Sequence, residues 1–276
     1  MNHQGGICLR RTTKTIALFL IITFSFMFVT HGIIYGLTEA DVLAFSHPII
    51  NVLAILGGGA PAFAALYLVF KIYSEEEKKA YWQRVYDVKV AWPWWVFLVF
   101  APLLLGFSSQ VVVLGALPEI DLSLSVLTSL PFVFLTMIFA GGAEELGWRG
   151  ILQRHLHGRL SLPLIGLIIG VLWGVWHLPL FFIEALAHAN YHFFTYLLTT
   201  ILFSLWMTGM VHQTKSVGLA ILFHAMINTA GQIGFGLSMT FDLGNVVLLV
   251  ALIVISCVWL VMLDKASPYR EKHFTE

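Results

Sequence analysis

The chain has 276 residues, 59% of them hydrophobic and 11% charged, against about 25% charged in an ordinary soluble domain; with a mean hydropathy of +0.87 this excludes a water-soluble globular enzyme and makes a bilayer the solvent for most of it. Lys and Arg total 15 and Asp and Glu total 15, so no net basic field exists to draw nucleic acid by counterion release, and nucleic acid is excluded as a partner. Cys8 and Cys257 lie near opposite ends without C-x-x-C spacing, which suggests neither a disulfide framework nor a cysteine metal knuckle.

Arg10, Arg11 and Lys14 precede an apolar run from Thr15 to Tyr35 that is longer than a signal-peptide core and has no clear cleavage site, so it reads as a retained first helix. Apolar runs then predict spans near 15–36, 48–71, 92–116, 126–157, 162–184, 193–211, 216–235 and 243–263. The expected fold is all-α, a polytopic membrane protein of about eight transmembrane helices with a polar catalytic cavity inside the bundle. No repeat or long linker divides it, so residues 1–276 read as one domain with a motif-bearing core at about 126–235.

Between the second and third spans, Lys71 to Lys89 with Glu75, Glu76 and Glu77 beside Lys78 and Lys79 reads as a solvated loop or short surface helix that binds nothing. Trp92, Trp94 and Trp95 around Pro93 read as an interfacial belt. The fourth run is too long for a simple span and carries charges, so its second half is expected to be a tilted or interfacial extension. Near the outer end of the fifth, Glu184, His188 and His192 follow i, i+4, i+8 spacing; a metal on that face is conceivable, and the neighbouring Asn190 and Tyr191 favour a solvated loop.

All 15 basic residues fall on one side of this arrangement, while the opposite loops hold acids such as Glu39, Asp41, Glu119, Asp121 and Asp242. Basic residues in short loops are retained in the cytoplasm, so both termini are expected there, in a prokaryotic plasma membrane or a eukaryotic endoplasmic-reticulum membrane.

An ionisable group at mid-membrane costs about 2.5 to 3.5 kcal/mol on insertion scales, so each one inside a span is a functional hypothesis. The candidates are Glu144, Glu145 and Arg149 in G-G-A-E-E-L-G-W-R-G-I-L, His177 in W-G-V-W-H-L-P, and His224 with Asn228 in F-H-A-M-I-N. Counted from their cytoplasmic ends at 1.5 Å per residue, Glu144, His177, His224 and Asn228 lie at depths of about 20, 22, 14 and 20 Å. Three helices thus present polar groups at one level, provided the fourth span stays helical through Arg149.

Adjacent helical residues point about 100° apart, so the two glutamates cannot share a role. Glu145 and Arg149 are i, i+4 and form a structural ion pair, whereas Glu144 sits over Trp148 without such a partner and is the reactive carboxylate. His224 and Asn228 share a helix face, as do Trp173 and His177, and Pro179 weakens the helix around His177. Gly141, Gly142, Gly147, Gly150, Gly170 and Gly174 are expected to let the fourth and fifth helices approach closely, bringing Glu144 and His177 to one water.

At these residues the sequence resembles the CPBP family of intramembrane proteases, the CAAX-protease and bacteriocin-processing family that includes the Rce1-type prenyl-protein proteases. The family's motifs E-E-x-x-x-R, F-x-x-x-H and H-x-x-x-N correspond in order to Glu144, Glu145 and Arg149; Trp173 and His177; and His224 and Asn228. Trp173 departs from the usual Phe but keeps an aromatic wall. The resemblance implies peptide-bond hydrolysis in or at the edge of the membrane, Glu144 and His177 activating a water and His224 and Asn228 stabilising the oxyanion. Family members are commonly labelled metalloproteases, and Glu144, His177 and His224 offer three ligands for a zinc with an open position. H-E-x-x-H is absent, and a cofactor-free, glutamate-dependent site is favoured.

The expected partners are the bilayer and a short peptide or membrane-associated, lipidated protein tail as substrate. The competing readings are a non-catalytic peptide-binding, immunity or scaffold protein of the same fold, and a proton-coupled transporter using Glu144 as carrier, which lacks the paired interrupted helices of such proteins.

Overall fold

The computed structural model describes residues 3–117 and 123–266, with side chains from Arg11 onward. Glu119, Asp121, Arg270 and Lys272 lie outside the described residues, as do the side chains of Cys8 and Arg10. The described chain is helical, and seven of its helices are long and apolar enough to cross a membrane, or eight when the bent pair Pro48–Gly58 and Ala60–Ile72 is taken as one span. The eight apolar runs of the sequence each fall on one of these segments, as an all-α polytopic membrane protein requires.

The elements run α1 (His3–Glu39), α2 (Pro48–Gly58), α3 (Ala60–Ile72), α4 (Glu75–Tyr86), α5 (Trp92–Leu114) and α6 (Leu124–Ala140). After Gly141 the fourth span continues as a 3-10 turn Gly142–Glu144, α7 (Glu145–Gly147), a π turn Trp148–Gln153 and α8 (Arg154–Leu156). Then follow α9 (Leu162–Trp176), α10 (Phe193–Thr214), α11 (Val217–Ala230) and α12 (Leu243–Ala266). The starts carry their local signals: Ser123 and Ser216 accept from the backbone N–H of Val126 and Leu219, and Pro48, Pro93 and Pro163 sit in first turns, where the missing N–H costs nothing. α2 and α3 meet at a bend of 58°, where a Gly57-Gly58-Gly59 run meets Pro61, which has no N–H to continue the ladder.

α4 is the surface helix expected between the second and third spans, opened by a capping box between Ser74 and Glu77. It also braces the fourth span: Tyr81 is buried and its hydroxyl donates to the carbonyl of Leu146 (2.9 Å), and Arg84 donates to the carbonyl of Gly150 (3.1 Å).

α10 is the central helix, the most buried of the spans. Gly166, Gly170 and Gly174 recur every four residues on α9, and a Cβ on any of them would collide with Leu205, Ile201 or Leu197 of α10. This is the small-residue stripe that lets membrane helices pack at close range. The glycines therefore do not bring the fourth and fifth spans together as the sequence suggested. Gly142 faces Ile221 of α11, Gly147 faces Pro61 and Phe19, and Gly150 faces Tyr81, so each has a different neighbour. Trp148, expected beneath Glu144, is packed edge-on to Phe19 of α1 (5.4 Å) and Trp176 of α9 (6.1 Å).

α6 by contrast buries none of its residues, and Phe132, Leu135 and Phe139 lie on its exposed surface, which is where lipid meets the bundle. Trp92 and Trp95 are likewise exposed at the start of α5, while Trp94 is half-buried.

Candidate active site

Three helix ends or breaks deliver the polar groups. The fourth span is not a continuous helix through Arg149: it breaks at Gly141, whose φ of −144° and ψ of −49° are non-helical, and the 3-10 turn that follows carries Glu144 into the bundle. α9 ends at Trp176, and His177 is its C-cap, because Pro179 in the next 3-10 turn cannot extend the helix. α11 supplies His224 and Asn228 from its second half.

Glu144, Glu145, Arg149, His177 and His224 are all buried. Glu145 accepts from Arg149 Nε (2.8 Å) with one oxygen, as the i, i+4 spacing anticipated, and its other oxygen pairs with His224 Nδ1 (2.9 Å), a contact that spacing does not reveal. Arg149 then donates to Thr208 Oγ1 (3.1 Å), to the Ser204 hydroxyl (3.2 Å) and carbonyl (3.3 Å), and to Gln153 Oε1 (3.4 Å). A buried ion pair is tolerable only when its remaining lone pairs and protons are satisfied in this way.

Glu144 has different company. Its Oε2 accepts from the indole Nε1 of Trp173 (2.8 Å), so the tryptophan that replaces the family's usual phenylalanine contributes a hydrogen bond as well as a wall. His177 Nδ1 lies 2.8 Å from the carbonyl of Trp173. A carbonyl can only accept, so Nδ1 carries the proton and a neutral His177 keeps its lone pair on Nε2. The same logic at His224 makes Nδ1 the donor to the Glu145 carboxylate and leaves Nε2 as the remaining ring nitrogen.

A cavity of about 600 Å³ is lined by Glu144, Trp173, His177, His224 and Asn228, so one space brings the four proposed catalytic residues together. Its apolar walls include Met27, Met137, Leu180, Phe203, Ile227 and Phe235. Gly141 leaves room at its floor: a Cβ there would run into the Asn228 amide nitrogen and come within 3.1 Å of His224 Nε2. Several of the lining residues lie far along their helices from the basic side. On α1, Met27 and His31 lie about 24 and 30 Å beyond Arg11, and on α10, Tyr196, Thr199, Thr200 and Phe203 belong to the half distant from Lys215.

Two cavity residues were not assigned to the site by the sequence. His188, expected in a solvated loop, is half-buried, stacks on His177 at 5.9 Å and packs edge-on against Tyr196 at 5.4 Å; burial, with the charge of His31 nearby, pushes it down to about 4, so it is neutral at pH 7. Its i, i+4 relation to Glu184 and His192 was the available signal, but it points elsewhere: Glu184 is exposed and His192 packs on Phe241 at 4.8 Å. Tyr196 packs against His177 at 5.4 Å, and nothing in its sequence surroundings singles it out.

Among the described residues no three His, Cys, Asp or Glu side chains converge to hold a metal ion, neither Glu144, His177 and His224 nor Glu184, His188 and His192. As it stands, the Glu144, His177 and His224 donor set does not fit a metal ion.

Residues 126–230 match the family model described as type II CAAX prenyl endopeptidase Rce1-like. The chain is also 28% identical over 182 residues to a protein of Methanococcus maripaludis named CAAX prenyl protease 2, covering 61% of this chain and 67% of that relative. Both findings agree with the resemblance of the three motifs to the CPBP/Rce1-type family, and the apolar helices with an integral, multi-pass membrane protein.

Proposed function

We propose that this protein is a membrane endopeptidase that hydrolyses its peptide bond with a water activated by Glu144 and His177, and stabilises the oxyanion with His224 and Asn228. The observation that carries the reading is the convergence of these four side chains on one buried cavity. In the reaction, Glu144 takes a proton from water while the oxygen bonds to the scissile carbonyl carbon. His177 Nε2 accepts a hydrogen bond from the same water and fixes its direction. The Asn228 amide, and His224 Nε2 when the ring is an imidazolium, donate to the developing oxyanion. Collapse of the tetrahedral intermediate breaks the C–N bond, and the proton held by Glu144 passes to the leaving amine.

The substrate is a short peptide or the tail of a membrane-associated protein, and the name of the archaeal relative makes a prenylated C-terminal tail the first probe. The one-sided distribution of basic residues supports cytoplasmic termini, so the peptide reaches the cavity through the bilayer or from the face opposite the termini. The test is cleavage of a quenched, farnesylated peptide and of a peptide library by the purified protein beside Glu144→Gln, with chelation and zinc add-back, in detergent and in sealed vesicles. Activity that is lost in the variant and indifferent to chelator is the expected result. Loss on chelation restored by zinc overturns the metal-free route, and absence of cleavage by folded wild-type protein overturns the peptidase reading in favour of a peptide-binding protein.

A further inference from the structure

The charge run between the second and third spans does not stand alone. Lys79 and Arg84 of α4, Lys89 after it, Arg154 of α8 and Lys215 between α10 and α11 line one cavity of about 980 Å³. Asp87 is the acid among its lining residues, and its carboxylate is engaged with the backbone N–H of Lys89 (3.0 Å). Glu77 is engaged as well, by Arg11 at 2.7 Å. Five cations thus line the space beside the single carboxylate of Asp87, with Arg84 donating to the Gly150 carbonyl and Lys215 to the His212 carbonyl, and burial together with the charge of Arg154 pushes Arg84 down to about 10.

Arg154 carries the sharpest signal. Its guanidinium lies over the Tyr73 ring at 5.5 Å, and its Nη1 is buried with no hydrogen-bond partner. A buried donor on a charged group is a costly omission unless something supplies the acceptor. A smaller cavity of about 230 Å³ shares Arg84, Arg154 and Lys215 and reaches inward to Arg149 and Gln153.

The position of the cluster narrows the choice of anion. It sits where α3, α8 and α10 end and α5 begins, at the boundary between apolar spans and water. Trp82 and Tyr86 stack on its wall at 5.6 Å, with Tyr86 74% exposed, an arrangement suited to the headgroup level of a bilayer. The space is also far larger than a bare phosphate needs, and basic pockets between membrane helices suit anionic headgroups.

We propose that this cavity binds the phosphate of an anionic phospholipid headgroup, with Arg154 as the hydrogen-bond donor awaiting it and Lys79, Arg84 and Lys215 completing the charge. The site is separate from the Glu144 cavity and does not depend on the peptidase reading.

The test titrates the full-length purified protein with phosphatidylglycerol, phosphatidylcholine and inorganic phosphate, reading lipid retained by native mass spectrometry and the shift in Tm. Phosphatidylglycerol is expected to be retained and to raise Tm, the other two to do neither. Arg154→Gln and Lys79→Gln are each expected to weaken retention about fivefold, the size of one basic contact to an anionic lipid, while Lys14→Gln, an exposed basic residue on α1, changes nothing. Equal retention of phosphatidylcholine, equal losses in the Lys14 variant, or saturation by inorganic phosphate alone overturns the proposal. Should Arg154→Gln fail to fold, the comparison of Lys79→Gln with Lys14→Gln decides it.

Discussion

Glu144 and Glu145 are neighbours in sequence and belong to opposite kinds of environment. On the Glu145 side both carboxylate oxygens are engaged, Arg149 has acceptors from α10, and Gln153 closes the array by donating to the Thr208 carbonyl at 3.1 Å. On the Glu144 side one oxygen takes the Trp173 N–H and the carboxylate borders an open cavity. The saturated region holds three spans in register, and the unsaturated one keeps bonding capacity in reserve for a water and a peptide.

The contrast can be broken most forcefully from the saturated side. Arg149→Met takes the guanidinium from the buried Glu145 carboxylate and leaves it His224 alone, and is expected to cost about 3 to 5 kcal/mol of stability, seen as a fall in Tm and in the yield of folded protein. Glu144→Gln keeps the shape of the cavity and removes the base; it is expected to lower kcat on the order of 10³-fold with Tm unchanged. If the two variants exchanged phenotypes, the roles of the glutamates would be reversed.

Smaller changes sharpen the same division. Gly141→Ala forces a methyl toward Asn228 and His224, and a displacement of about 1 Å at a reacting centre costs about 10²-fold in rate, read as kcat/KM in protein with near-native Tm. Trp173→Phe keeps the ring and deletes one hydrogen bond to Glu144, expected to lower kcat about tenfold with KM little changed. An unaltered kcat would make Trp173 a wall and nothing more. Glu184→Gln, exposed and away from both regions, is expected to stay within about 0.5 kcal/mol in stability and to leave turnover intact.

What the sequence made legible was local or periodic. Apolar runs located every span to within a few residues, and i, i+4 spacing identified the Glu145–Arg149 pair, because both depend only on rise and rotation along one helix. Counting depth put Glu144, His177, His224 and Asn228 at one level, although the fourth span is broken at Gly141 rather than straight. What stayed hidden depends on rotation between helices: which neighbour each glycine meets, that His224 reaches Glu145, that His188 covers His177, and that the Trp173 N–H finds Glu144. Spacing within a segment carries no information about the face a neighbouring segment presents. The segment from Lys71 to Lys89 is the solvated surface helix its charges suggested, and what spacing could not show is that Arg154 and Lys215 lie beside it.

The composition of α10 has a consequence for its place in the bilayer. Thr195, Thr199, Thr200, Ser204 and Thr208 are all buried along it, and several bond to the Gly166 and Gly170 carbonyls of α9 or to Arg149. A segment equipped for protein neighbours is a poor guest for bare lipid, whereas α12, the most hydropathic of the spans, suits lipid far better. The helix least suited to bare lipid is thus the one buried deepest among its neighbours.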